Sequence, residues 1–213
     1  MGNFKLIDFL YWYSCPVIGF ISLTGLLLFF LIKKRFPSIK SLKIITILLI
    51  IFLLLAGIFF TIINSYLWSK QWFGQFFLTK EFIIGYSYYH YFSKNVLNIF
   101  WALFWLAGIH YFNKNFQNRF FYEEEKWLAA ISILSNGWPN SVLYLALVFL
   151  LALLSHFGLK FYYRFKKRPL PADFRLSFLY FWLPVALFVN LFGVIIIKST
   201  FFKDLMVLKD VFA

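Results

Sequence analysis

Charged residues divide the chain into long apolar runs separated by short polar connections. Five of these runs approach or exceed the ~20 apolar residues that carry a helix through about 30 Å of hydrocarbon. They predict membrane-spanning segments at 9–32, 44–67, 96–112, 141–159 and 176–197. Backbone amides in lipid must be paired within the segment itself, so we expect helices at these positions rather than open strands.

Two shorter apolar runs, 82–92 and 127–134, do not reach that length. The second is separated from the run at 141–159 by the helix-breaking sequence Ser-Asn-Gly-Trp-Pro-Asn at 135–140. Each short run is expected to form a short crossing or a re-entrant segment buried among the other helices. No soluble domain or internal repeat interrupts the pattern. The predicted fold is therefore all-α: one polytopic integral membrane helix bundle over residues 1–213.

Two basic stretches give the predicted orientation. The first contains Lys33, Lys34, Arg35, Lys40 and Lys43, and the second contains Lys160, Arg164, Lys166, Lys167, Arg168 and Arg175. Basic loops of membrane proteins concentrate on the cytoplasmic side, which predicts that both stretches lie on one face. Three predicted spans separate them, and an odd number of crossings would place them on opposite faces. We therefore expect 82–92 or 127–134 to alter the count.

The composition supports a lipid-embedded chain. Of 213 residues, 62% are hydrophobic and only 14% are charged, whereas a soluble domain carries about 25% charged residues. The net charge of +13 is assigned to loops at a membrane surface, so the predicted partner is the lipid bilayer and not nucleic acid. Aromatic residues make up 25% of the chain, and the Trp and Tyr residues cluster near predicted helix ends, as in the aromatic belt of a membrane protein.

Candidate chemistry is sparse. The three histidines are isolated and the chain has one cysteine, so no metal site and no cofactor are predicted. Three of the eight acidic residues form a cluster, Glu123-Glu124-Glu125, directly before the apolar run that starts at Trp127. Carboxylates at a helix N-terminus are stabilised by the helix dipole. A carboxylate at the membrane boundary can also act as an acid, a base or a ligand.

The order of features from this cluster onward resembles a known family. Residues 123–130, Glu-Glu-Glu-Lys-Trp-Leu-Ala-Ala, precede Gly137-Trp138-Pro139, a span, and Arg168-Pro169-Leu170-Pro171 before the last span. This order resembles the C-terminal half of the prepilin peptidases, which are intramembrane aspartyl proteases of the GxGD type. The resemblance implies a prokaryotic cytoplasmic (inner) membrane location and pilin-like membrane peptides as partners.

The same resemblance assigns the candidate catalytic positions to Asn64 and Glu124, with Glu125 beside the latter, and the family's proline to Pro171. Neither position is the expected aspartate, and an asparagine cannot ionise. Because the two-carboxylate mechanism needs one ionised and one protonated acid, the resemblance implies a degenerate member without proteolytic activity.

Two other functions are compatible with the sequence. The scarcity of charge within the predicted spans favours a non-catalytic membrane assembly subunit, bound to an assembly partner, or a small carrier of unknown substrate over an ion-coupled transporter. A lipid-modifying transferase is a further alternative, with basic residues of the loops 113–126 and 160–175 holding lipid phosphate.

Overall fold

The computed structural model describes residues 2–34, 37–70, 79–116, 121–167 and 178–198. Within these ranges the chain forms helices and short connections, with no strand, which confirms an all-helical architecture. The helices are α1 (Gly2–Lys33), α2 (Ile39–Lys70), α3 (Lys80–Ser87), a π-helical segment (Tyr88–Phe92), α4 (Ser93–Asn115), α5 (Glu123–Asn136), α6 (Asn140–Phe165) and α7 (Leu179–Lys198).

Four stretches in the described part are long and apolar enough to cross a membrane, and they identify an integral membrane protein. They are Pro16–Lys33, Ile39–Lys70, Lys80–Asn115 and Asn140–Phe165. The predicted span at 176–197 begins outside the described residues, and the apolar part of α7, Phe181–Gly193, is shorter than a full span. Four of the five predicted spans therefore have matching helices of sufficient length.

The prediction that 82–92 is separate from 96–112 is wrong, because both belong to one continuous helical stretch. α3, the π-helical segment and α4 follow one another without a break from Lys80 to Asn115. Lys94, which ends the charge-free run in the sequence, lies inside this stretch. A lysine does not interrupt helical backbone hydrogen bonds, and its charge marks a change of surroundings rather than the end of the helix.

The short run at 127–134 forms the centre of the bundle. It lies in α5, which packs against α1, α2, α4, α6 and α7. Every residue from Leu128 to Asn136 is buried. With 14 residues α5 is only about 21 Å long, which is short for the ~30 Å of a bilayer core. It can be short because protein, rather than lipid, surrounds it.

α5 and α6 form an antiparallel hairpin, which we call the inward hairpin. Its turn at residues 137–139 contains Gly137 with φ of 70° and the cis Trp138–Pro139 bond, which confirms the predicted helix break. The Phe149 ring of α6 lies 5.9 Å from Phe178, and Phe178 lies 5.2 Å from Phe121, just before α5. α6 therefore returns towards the end of the bundle from which α5 entered.

This hairpin accounts for the two basic stretches. Lys43 Nζ lies 5.6 Å from the Trp127 ring centroid, so α2 begins beside the start of α5. The first basic stretch and the end of α6 consequently lie at one end of the bundle, which we call the basic end. The opposite end carries Lys70 and Lys80. α5 and α6 run in opposite directions, so together they return the chain to the end of the bundle at which α5 begins. The run 127–134, which lies in α5, therefore changes the number of passages between the two basic stretches. Arg35, Arg168 and Arg175 lie outside the described residues.

Candidate binding site at the tip of the inward hairpin

Asn64, the first candidate catalytic residue, lies in the second half of α2 and is buried. Its Nδ2 donates a hydrogen bond to Ser87 Oγ over 2.9 Å. Ser87, the last residue of α3, is itself fully buried. This bond pairs two polar groups that would otherwise lie unsatisfied in an apolar interface. It holds α2 against α3 near the opposite end of the bundle.

Glu124 and Glu125 lie in the first turn of α5, at the basic end. Glu125 is fully buried, and its Oε2 accepts a hydrogen bond from the Tyr122 backbone N–H over 3.1 Å. The Glu125 N–H in turn donates to the Tyr122 carbonyl oxygen. This is the N3 glutamate of a capping arrangement, which satisfies orphan donors at a helix start. Glu124 is partly exposed, and Lys126 Nζ lies 3.6 Å from Glu123 Oε1.

The structure does not bring Asn64 together with the glutamates. Trp127 lies beside Lys43, and Asn64 follows 21 residues later on α2. At 1.5 Å per residue this places Asn64 about 32 Å further along the helix axis. The two positions would share an end of the bundle only if 82–92 were a separate crossing, and it is continuous with α4. Pro171, the other position assigned by the resemblance, lies outside the described residues.

The C-terminal end of α5 lies within the bundle, where its last carbonyl groups cannot reach bulk water. Asn98 Nδ2 of α4 donates to the Leu134 carbonyl oxygen over 3.1 Å, and Asn190 Nδ2 of α7 donates to that of Ser135 over 2.9 Å. The Gly137 N–H donates to the Ile133 carbonyl oxygen. Three of the last four carbonyls of α5 are thus satisfied, two of them by side chains of neighbouring helices.

α1 reaches the same end of α5 through a backbone approach that only glycine permits. A Cβ atom on Gly19 would lie 2.1 Å from the Ser135 carbonyl oxygen and 2.9 Å from its carbonyl carbon. Ser22, one turn further on, places its Oγ 3.3 Å from Ser135 Oγ. Small residues at a helix–helix contact allow this close packing in membrane proteins. The tip of the inward hairpin is therefore fixed from three sides.

A cleft of about 310 Å³ opens beside this fixed tip. It lies between the inward hairpin, which contributes Trp138, and the continuous helix Lys80–Asn115. The helix contributes residues on both sides of the junction between the π-helical segment and α4: Tyr88, Tyr89, Ser93, Lys94, Val96 and Leu97. The π-helical geometry is of interest here because π-bulges within α-helices are frequent at functional sites.

Lys94 is the charged residue that lines this cleft. It is the fifteenth residue of the 36-residue stretch and is partly buried. Ionisable residues within membrane-spanning helices are costly, face protein or water-filled cavities, and mark sites of function. In the charge pattern Lys94 stands only at the boundary of a predicted span, with nothing that marks it as a site residue. The missed signal was the absence of a helix breaker on either side of Lys94, which argues for an uninterrupted helix around it.

Tyr144 and Trp182 form a second polar region on the other side of α5. Their ring centroids lie 6.1 Å apart, and both side chains are fully buried. Ser132 Oγ lies 3.5 Å from the Trp182 carbonyl oxygen. These contacts join α5, α6 and α7 without ionisable carboxylates or imidazoles.

Among the residues that the structure describes, no group of three or more His, Cys, Asp or Glu side chains is placed to hold a metal ion. Comparison with known proteins gives no relative: no protein-family model, no curated protein and no solved structure matches this chain.

Proposed function

We propose that this protein is a non-catalytic integral membrane protein that binds an anionic amphiphile in the cleft beside the hairpin tip, as a small carrier does. The proposal rests on the position of Lys94. This residue lies well inside a long apolar helix, away from both helix ends, and it lines the cleft. Ionisable residues inside membrane-spanning helices mark sites of function, and the positive charge of Lys94 favours an anionic ligand in this cleft.

The lining of the cleft supports a ligand with both an anionic and an apolar part. Lys94 and the tyrosine hydroxyl groups can donate hydrogen bonds to a phosphate or carboxylate, whereas the Ser93 hydroxyl already donates to the Tyr89 carbonyl oxygen. The volume of about 310 Å³ suits a head group rather than a whole lipid. Val96 of the cleft begins an exposed apolar stripe that continues through Phe100 and Leu103 on α4. These positions, spaced by four and three residues, share one helix face along which an acyl chain can lie.

The non-catalytic part of the proposal rests on how the polar interior is used. Asn64, Asn98 and Asn190 each donate a hydrogen bond that joins two helices, and Glu125 closes the start of α5. The resemblance to prepilin peptidases stays a prediction, but about 32 Å along α2 separates the two positions that a proteolytic pair would need. By the positive-inside tendency we place the basic end in the cytoplasm. The inner membrane of a prokaryote is what the resemblance to prepilin peptidases implies.

Lipid retention tests the proposal. The full-length protein is purified in mild detergent, mixed with dioleoylphosphatidylglycerol, dioleoylphosphatidylcholine or oleate, and examined by native mass spectrometry. We expect the wild type to retain one phosphatidylglycerol or oleate molecule in preference to phosphatidylcholine. Lys94→Gln should lower that retention about tenfold, a loss of ~1.4 kcal/mol in binding free energy. Comparing the two anionic probes distinguishes a phosphate from a carboxylate ligand.

Two further variants control the experiment. Lys94→Arg keeps the charge and should keep the preference for anionic probes. Lys80→Gln removes an exposed charge at the start of α3, outside the cleft, and should leave retention unchanged. Equal retention of the anionic probes by the wild type and by Lys94→Gln would show that the cleft is not the binding site.

A further inference from the structure

The C-terminal part of α6 extends beyond the helices that cover its first half. Phe149 already lies close to Phe178, next to the start of α7, and Ala152 is the last buried residue of α6. From Leu153 to Lys167 no residue is buried. Only Ser155, Leu159 and Tyr163 of these residues are half-buried, and the others are exposed. We call residues 153–167 the α6 arm.

The α6 arm combines exposed aromatic rings with positive charge. Phe157, Phe161 and Phe165 recur every four residues with exposed fractions of 58%, 72% and 81%. Its four Lys and Arg residues are Lys160, Arg164, Lys166 and Lys167, all exposed. The sequence from 127 to 172 contains no Asp or Glu. The aromatic positions share one helix face, and basic positions three and four residues apart lie beside it.

The exposed phenylalanines make contact with water unfavourable for this surface, and a neutral lipid surface would offer no negative charge to its basic residues. Three exposed phenylalanines on one face form an apolar patch of the kind that marks a membrane or protein contact. Basic residues close to an anionic bilayer surface are attracted to its head groups, while neighbouring aromatic side chains enter the boundary between head groups and acyl chains. The arm also lies at the basic end, where the first basic stretch provides further positive charge.

We propose that the end of the α6 arm reaches the head-group layer at the basic end, where it binds the phosphate groups of anionic phospholipids. The phenylalanine face enters the acyl region, and Lys160, Arg164 and Lys167 contact the phosphates. An anionic lipid fits both features of the arm, because its phosphate complements the cations and its acyl chains accommodate the exposed phenylalanines. This site is separate from the cleft at Lys94 and does not depend on a ligand there.

Residue-specific cross-linking in proteoliposomes tests the arm directly. A photoreactive benzoylphenylalanine replaces Phe161 in the full-length protein, which is reconstituted in phosphatidylcholine containing about one third phosphatidylglycerol. Mass spectrometry of the cross-linked peptide identifies the captured lipid. We expect phosphatidylglycerol to be captured several-fold above its share of the bilayer. The triple variant Lys160→Gln, Arg164→Gln and Lys167→Gln should reduce this enrichment to the bulk ratio.

Two comparisons separate the arm from the cleft. Lys94→Gln should leave the enrichment at Phe161 unchanged, and a matched double variant at the opposite end, Lys70→Gln with Lys80→Gln, should also leave it unchanged. Capture of the two lipids in their bulk ratio by the wild-type arm would overturn the proposal. Preferential capture of a protein in place of lipid would overturn it as well.

Discussion

Replacing Gly19 with alanine is expected to lower the free energy of unfolding by about 3 kcal/mol, at the upper end of the range for overpacked interiors. The added Cβ would lie 2.1 Å from the Ser135 carbonyl oxygen. Because the obstructing atoms belong to the backbone of α5, no side-chain rotation relieves the overlap, and α1 must move away from the hairpin tip. Titration of the purified protein with SDS in mixed micelles, followed by circular dichroism, measures the change.

Gly25→Ala is the matched control on the same helix. A Cβ atom at Gly25 meets nothing within 4 Å, and alanine has a higher helix propensity than glycine. This variant should be as stable as the wild type or slightly more stable. Equal stability of Gly19→Ala and Gly25→Ala would contradict the close approach of α1 to Ser135.

Removing the two amide side chains that satisfy the end of α5 should produce the second large effect. Asn98→Leu leaves the Leu134 carbonyl without its donor, and Asn190→Leu does the same to the Ser135 carbonyl. A buried acceptor that loses its partner costs about 1–3 kcal/mol, although hydrogen bonds in membrane bundles average closer to 0.6 kcal/mol. We expect each variant to lose about 1–2 kcal/mol in the same SDS titration.

We expect a loss of stability, rather than a gain, because the Leu134 and Ser135 carbonyls lie inside the bundle. Leucine has the same branching at Cγ as asparagine and would be stabilising in an apolar environment if the amide had no partner. Asn115→Leu provides the comparison, because Asn115 is exposed at the end of α4. It should change stability by less than ~0.5 kcal/mol. If Asn98→Leu and Asn190→Leu were as stable as Asn115→Leu, the two amides would not be capping α5.

Charge spacing and helix-breaking residues predict the helices well but not their grouping. The sequence at 135–140 predicted a break, and the chain turns there with Gly137 in the left-handed region. Lys94 suggested a span boundary that does not exist, because counting charges treats a lysine as an exit from lipid. Its side chain instead lines a cleft between two parts of the protein. The partial burial of Lys94 depends on tertiary packing, which the local sequence pattern does not determine.

The length rule for spanning helices fails for α5 for a similar reason. The rule assumes a lipid environment, whereas α5 is enclosed by five other helices. The polar residues 132, 135 and 136 in this segment gave a weak signal that its surroundings are not lipid, since each is buried and polar. The candidate site could not be predicted from the sequence either. Trp138 and Lys94 are 44 positions apart in the chain, and only the folded hairpin brings them to one cleft.

The position of the two basic stretches tests the central claim, which is that α5 and α6 form an inward hairpin. In a background with Cys15→Ala, which removes the natural cysteine, single cysteines at Lys34, Lys167 and Lys80 are exposed to a membrane-impermeant maleimide in sealed vesicles of known orientation. The structure predicts that Lys34→Cys and Lys167→Cys react from the same side and Lys80→Cys from the other. Reaction of Lys34→Cys and Lys167→Cys from opposite sides would contradict the hairpin.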